Sequence, residues 1–388
     1  MIDFTYTSPT QIIFGRECHK QVGVYLKEMA TKVLLHYGGQ SIKRSGVYDA
    51  VTSALTNAGL PFVELGGVRP NPRLGLVHEG VELCRREGVD MILAVGGGSV
   101  IDSAKAIALG VPYAGDVWDI YTGKAEPSGH IPVATVLTIP AAGSESSPST
   151  VITNEDGLLK RGYTNQMNRP VLSFLNPDLC RTLPDDQIRY GGSDIMAHLM
   201  ERYFTNTDHV DLTDRLLEGA LRTMLIKLPA ILQNKEDYDT WAEIMWTGTV
   251  AHNGVLGMGR EEDWASHGIE HELSALYDIA HGAGLSIVFP AWMKYVYKAN
   301  RNRFVQFAVR VFDVDLSFSD TDAIAREGIR RLENFYRSVG LPVRLSDVGI
   351  GGDRIEEMAQ KAAFRGGSLG HLVSLTAADI ANIYRLAL

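Results

Sequence analysis

Cysteine is scarce in this chain of 388 residues: there are three, Cys18, Cys84 and Cys180, far apart and without a CxxC spacing. That excludes a disulfide framework and a cysteine-ligated zinc site, and it fits a reducing compartment. Long apolar runs are missing too, none reaching the ~18 residues that a membrane-spanning helix needs. Met1 to Tyr6 lacks the basic-then-apolar order of a secretory leader, so a soluble cytoplasmic protein is expected. Basic residues are outnumbered, 37 Lys and Arg against 46 Asp and Glu, for a net charge of −9 with no basic block. Neither nucleic acid nor an anionic membrane is therefore an expected partner, and small solutes are. What is present is an ordinary globular composition, 45% hydrophobic and 21% charged with 39 glycines, which excludes coiled-coil, collagen-like and disordered classes. At about 150 residues per domain the length predicts two or three domains.

From residue 31 to about 140, short apolar runs alternate with helical patterns. Strands are expected at Lys32 to Tyr37, Phe62 to Leu65, Met91 to Val95 and Val133 to Ile139. Helices are expected at Gly46 to Ala58, Val77 to Glu87 and Val100 to Leu109. Strands separated by helices of this length mean βαβ units and a parallel sheet, the architecture of nucleotide-binding domains. After the proline-marked stretch Asn176 to Pro184 helical periodicity takes over, at Asp194 to Phe204, Thr213 to Leu228, Tyr238 to Asn253, Ala323 to Val339 and Ile355 to Ala363. The division expected is an α/β domain over 1–185 and an all-α domain over 186–388.

Four groups of residues could carry chemistry. Gly96-Gly97-Gly98-Ser99 lies between a strand and a helix, where glycines admit a pyrophosphate and the helix N-terminus offers free N–H groups; Asp102 follows and could cap the turn or meet a cofactor hydroxyl. Gly38-Gly39-Gln40-Ser41, followed by Lys43 and Arg44, has no acidic side chain to oppose a 2′-phosphate, so this turn favours NADP(H) over NAD(H). Asp194 with His198, and His267 with His271, are pairs four apart that emerge from one helical face, and His281 precedes Gly282-Ala283-Gly284. Nitrogen-rich ligands with one carboxylate suit Fe²⁺ or Zn²⁺ better than Mg²⁺. Spacing alone leaves open whether His267 or His271 binds the ion. Last, Thr138 to Ser147 is a small, hydroxyl-rich loop at a strand's carboxyl end, where open α/β sheets bind ligands.

With these motifs, together with Arg69-Pro70-Asn71-Pro72 and Phe289-Pro290-Ala291-Trp292-Met293-Lys294-Tyr295, the chain resembles the iron-containing (group III) alcohol dehydrogenases over essentially its whole length, and most of all their butanol dehydrogenase-like branch. The resemblance implies an N-terminal dinucleotide-binding domain with a parallel sheet and an all-α C-terminal domain, a dehydroquinate synthase-like architecture. It implies a divalent metal, Fe²⁺ or Zn²⁺, on Asp194, His198, His267 and His281, with His271 near the nicotinamide as the protein's proton donor. It implies cofactor contacts at Gly38, Gly39, Ser41, Asn71, Gly97, Gly98, Ser99, Asp102, Thr138, Ser147 and Lys160, and a homodimer. The loop after Thr138 departs from the family's usual wording by carrying Ile139-Pro140-Ala141-Ala142, which puts contacts there in doubt. The activity implied is hydride transfer between NADP(H) and a primary alcohol or aldehyde such as butanol or butyraldehyde, at an ion whose one carboxylate and three neutral imidazoles leave a net charge near +1. Two rivals are a dehydroquinate synthase-like lyase and a nucleotide-binding sensor without catalysis. The lyase family usually has a Glu where Asp194 stands, and a sensor is expected to have lost ligands.

Overall fold

A computed structural model describes residues 1–317, 320–363 and 367–388 and divides the chain into two compact units. One comprises Thr7–Pro184 and Lys235–Thr249, the other Met1–Tyr6, Asp185–Asn234 and Val250–Leu388. A single cut at 185 thus leaves two segments on the wrong side. The reasons are local bonds: the Met1 amino group donates to the Asp208 carbonyl and Ile2 N–H to that of Gly259, while Lys235 Nζ donates to the Leu183 carbonyl and Thr249 Oγ1 to Glu145.

The first unit is built on strands β1 Gln11–Phe14, β2 Val33–Tyr37, β3 Phe62–Leu65, β4 Met91–Gly96, β5 Val133–Leu137 and β8 Leu172–Leu175. They form a parallel sheet in the order β1-β8-β5-β4-β2-β3. β2, β4 and β5 are buried along their whole length, which is why their sequences VLLHY, MILAVG and VATVL read as continuous apolar runs rather than alternating ones. His36, the polar exception in β2, is satisfied on both ring nitrogens, by the Leu65 carbonyl at 2.8 Å and Ser103 Oγ at 2.9 Å. From β2 the chain runs outward to β3, then returns to place β4 on the other side of β2 and continues to β5. The sheet's topological switch point therefore lies between the carboxyl ends of β2 and β4, where open α/β sheets leave a crevice for ligands.

Strands β1 and β8 and an antiparallel hairpin, β6 Ser149–Asn154 with β7 Leu159–Thr164, were not foreseen from apolar runs. The hairpin did carry a signal, Asp156-Gly157 between two alternating segments. β1 and β8 are four residues each and, unlike the equally short β3, lie outside the alternation of strand and helix patterns between residues 31 and 140.

The second unit is helical; among its described residues strand pairing is limited to one bridge, Leu369 to Leu375. Helix Asp185–Tyr203 starts nine residues before the expected Asp194, straight after Pro184, with Asp185 and Asp186 in its first turn where the helix dipole favours anions. Helices Ala265–Tyr277 and His281–Val296 follow in the chain and carry the remaining histidines of interest. Among the described residues no helix is long and apolar enough to cross a membrane.

Candidate active site

The helical unit gathers its ligand-type residues around Asp194. On helix Asp185–Tyr203, Asp194, His198 and Glu201 fall at i, i+4 and i+7 and so share one face. The ligand atoms of Asp194, His267 and His281 lie within 4.8 Å of one another. Asp194 Oδ1 is 3.9 Å from His267 Nε2 and 3.9 Å from His281 Nε2. His198 is not in that set of three, yet its Nδ1 is 3.6 Å from Asp194 Oδ1 and its ring stacks on His267 with centroids 4.8 Å apart. These separations are too long for hydrogen bonds and suit groups around a common centre.

Asp194 Oδ1, His198 Nδ1 and His267 Nε2 are buried and find no hydrogen-bond partner among the described residues. Three buried polar atoms left without partners would carry an uncompensated desolvation cost of about 1–3 kcal/mol each. A divalent cation among Asp194, His267 and His281 satisfies two of these atoms, with His198 Nδ1 beside Asp194, so the residues present fit a metal, and a nitrogen-rich donor set with one carboxylate suits Fe²⁺ or Zn²⁺. Burial, reinforced by the neighbouring His252 and His267, pushes the His198 imidazole well below its ordinary range and keeps it in the neutral, ligating form. Burial acts the same way on His267, but the carboxylates of Asp194 and Glu201 outweigh it and hold this ring up at about 9.

His271 lies one turn beyond His267 and outside the set around Asp194. Its ring faces His281, centroids 5.7 Å apart, and its ligand atom groups with those of His281 and Glu270. The glycines after His281 serve helix packing: a Cβ on Gly282 would sit 2.0 Å from the Tyr190 carbonyl oxygen and one on Gly284 2.5 Å from Glu270 Oε1. The His281 helix can approach its neighbours this closely only because both side chains are absent.

Sequence spacing did not find four residues of this region. Glu201 accepts from His267 Nδ1, and Glu270 from His281 Nδ1. His252 lies against the His198 ring with centroids 4.3 Å apart, and Trp264 adjoins His267 at 5.0 Å. Glu201 and Glu270 stand three residues after His198 and His267, a helical spacing that was there to be read, whereas His252 and Trp264 carry no such spacing and only the fold brings them in.

In the sheet unit the two glycine turns stand at the switch point, after β2 and β4. Gly97 caps helix Gly98–Gly110, and a Cβ on Gly98 would lie 2.8 Å from Ala142 Cβ. The Ile139 to Ala142 wording thus has a packing partner in the glycine turn. Asn71, buried at a left-handed φ of 53°, accepts a hydrogen bond from Lys160 Nζ at 3.0 Å, which brings together two residues 89 apart in sequence. Asp102 caps nothing: Oδ1 accepts from Ser144 Oγ at 2.6 Å and Oδ2 from Val151 N–H at 3.0 Å. Ser144 in turn accepts from Lys105, a fully buried ammonium that also donates to the carbonyls of Ser147 and Ser149. Burial pushes Lys105 down to about 8 against the pull of Asp102 and Glu145. Ser147 Oγ accepts from Ser149 N–H, and Thr138 N–H donates to the Gly96 carbonyl. The hydroxyls of Ser144 and Ser147 are therefore engaged in tying the loop to helix Gly98–Gly110 and to β6.

At the other turn, a Cβ on Gly39 would meet nothing within 4 Å, and exposed Ser41 opens helix Ser41–Arg44. Lys43 Nζ lies 4.7 Å from the Tyr48 ring centroid and 5.4 Å from that of Tyr37. Both tyrosine hydroxyls donate to Glu64 on β3, at 3.0 Å from Tyr37 and 2.8 Å from Tyr48. The turn itself has no acid, but the neighbouring strand brings one close, which reading the turn alone missed.

The comparisons with known proteins agree with this arrangement. Residues 9–177 match the family model described as iron-containing alcohol dehydrogenase, and residues 188–388 that of the Fe-containing alcohol dehydrogenase family, C-terminal. The chain belongs to the iron-containing alcohol dehydrogenase family, and it is an enzyme, an alcohol dehydrogenase of the butanol dehydrogenase-like kind. Such an enzyme uses a nicotinamide dinucleotide and a divalent metal, typically iron. The chain is 44% identical over 388 residues, covering 100% of both proteins, to a Bacillus subtilis protein named probable NADH-dependent butanol dehydrogenase 1. It is 36% identical over 364 residues, 93% of each, to the NADPH-dependent aldehyde reductase YqhD of Escherichia coli. The crystal structure of NADH-dependent butanol dehydrogenase A from Thermotoga maritima superposes with a TM-score of 0.96 at 40% identity, covering 99% of this chain and 98% of that one.

Proposed function

We propose that the protein interconverts a primary alcohol and its aldehyde, of the butanol and butyraldehyde kind, with NADP(H) as the preferred cofactor and Fe²⁺ or Zn²⁺ held by Asp194, His198, His267 and His281. The observation that carries this reading is the convergence of the Asp194, His267 and His281 ligand atoms within 4.8 Å of one another, the Asp194 and His267 atoms being buried and unpartnered among the described residues. When bound, the ion supplies Lewis acidity at the carbonyl oxygen and the reduced nicotinamide supplies the hydride. Asp194 contributes the negative charge that retains the cation, and buried His198 presents a neutral nitrogen. His271 gives a proton to the product oxygen in reduction and takes it back in oxidation, the work of a general acid and base. Gly97, Gly98 and Ser99 seat the phosphates at a helix N-terminus, with Gly38, Thr138, Asn71, Lys160 and the Lys105-braced loop at Ser147 and Asp102 completing the cofactor's bed. NADPH consumption on addition of butyraldehyde tests this, and its absence across a panel of aliphatic aldehydes contradicts it. The same reading makes the protein a cytoplasmic homodimer; three free, buried cysteines fit a reducing compartment, and light scattering tests the dimer.

Relatives carry names of both cofactor kinds, so the preference rests on this chain's own turn. Open space at Gly39, the Ser41 hydroxyl and Lys43 support a 2′-phosphate, while Glu64 is engaged by two tyrosine hydroxyls. One charge-assisted hydrogen bond, worth about 1.5–3 kcal/mol, suffices for a tenfold preference. The kcat/KM with NADPH is expected to exceed that with NADH by at least about tenfold. Gly39→Asp is expected to reverse the order, because the new carboxylate points into that space. An equal efficiency in the parent, or an unchanged ratio in the variant, means that this turn does not read the 2′-position.

A further inference from the structure

We infer that Glu201 and Glu270 are the positioning residues of the metal centre, each setting the tautomer and orientation of one histidine and adding a negative charge behind it. The inference rests on the metal reading given above. Both carboxylates are fully buried, where an ionised group persists only with partners of its own.

Glu201 Oε1 accepts from His267 Nδ1–H at 2.7 Å and from His267 backbone N–H at 3.0 Å, and Oε2 accepts from Trp264 N–H at 2.7 Å. Trp264 is the N-cap of helix Ala265–Tyr277 and His267 its third residue; the Trp264 side chain makes no capping bond, and its φ of 63° is left-handed. A carboxylate 63 residues away thus takes both N–H groups that a capping box satisfies from within a helix. Because Glu201 follows Asp194 by two helical turns on the same face, this one side chain fixes the His267 helix to the Asp194 helix. With Nδ1 held as donor, Nε2 is the nitrogen whose proton a bound ion would displace, and Nε2 is the atom that faces Asp194.

Glu270 does the same for His281. Its Oε2 contacts His281 Nδ1 while Oε1 accepts from Ser274 Oγ, and Gly284 leaves the room it needs. The two histidines with a buried carboxylate on Nδ1 are those whose Nε2 atoms group with Asp194. Such outer partners typically contribute 10- to 100-fold in metal affinity. They also place three carboxylates, not one, around the ion.

The test is Zn²⁺ affinity of the metal-depleted full-length protein, by competition with a chromogenic chelator, in Glu201→Gln and Glu270→Gln. Each is expected to weaken binding by about 10- to 100-fold and to shift the visible spectrum of the Co²⁺-substituted protein, a readout that lost helix stability would not move. Glu270 sits inside its helix and meets the side chains of Ser274 and His281, so Glu270→Gln decides the matter if Glu201→Gln fails to fold. Parent-like affinity and an unshifted Co²⁺ spectrum in Glu270→Gln overturn the inference and leave the proposed function standing. A parent protein that takes up no Zn²⁺ overturns both.

Discussion

His267→Ala is expected to abolish turnover and to strip the purified protein of most of its metal, and His281→Ala to do the same. Either change removes one of four ligands, so the loss should exceed the 10- to 100-fold that follows from an outer-partner change. At position 267 there is a second cost. The imidazole is the side chain that Glu201 Oε1 holds, so its removal leaves a buried carboxylate with only backbone donors, beside a buried Asp194 oxygen that has none. Metal content per chain by plasma mass spectrometry, read beside kcat, checks both variants. Parent turnover with stoichiometric metal in either one ends the ligand assignment.

His271→Ala is expected to separate metal retention from catalysis. His271 stands one turn from His267, outside the set of three around Asp194, and against His281. If it moves a proton and does not hold the ion, its loss leaves metal content at the parent level and lowers kcat by about 10²- to 10⁴-fold, the usual contribution of a general acid or base. A metal loss as large as that of His267→Ala would mean that the two histidines have exchanged roles.

These two variants probe the point where sequence and fold part company. His267 and His271 are four apart on one helix, so periodicity puts both on the same face and has no means of ranking them. The ranking comes from two other helices: one brings Asp194 and Glu201 to His267, the other brings His281 to the group. Glu201 and Glu270 do follow His198 and His267 by three residues, but their contacts, with His267 and His281, are to other helices and leave no local pattern. By contrast, the glycine turns at Gly38 and Gly97 were legible, because a fully buried parallel strand has to be a continuous apolar run and a turn at its end has to be short. At Ser144 to Ser147 composition shows the hydroxyls but not what braces the loop: the Ser144 hydroxyl and the Ser147 carbonyl accept hydrogen bonds from Lys105, a buried lysine whose helical sequence gives no hint of its partners.

The central claim is that Asp194, His198, His267 and His281 hold a divalent ion on which turnover depends. Removing the metal with a chelator, dialysing the chelator away and assaying NADPH oxidation with butyraldehyde before and after adding back Fe²⁺ or Zn²⁺ tests it most directly. Activity should vanish with the metal and return on addition of about one equivalent per chain, with the ratio set by the single site. Full activity in protein shown by mass spectrometry to be metal-free would contradict it.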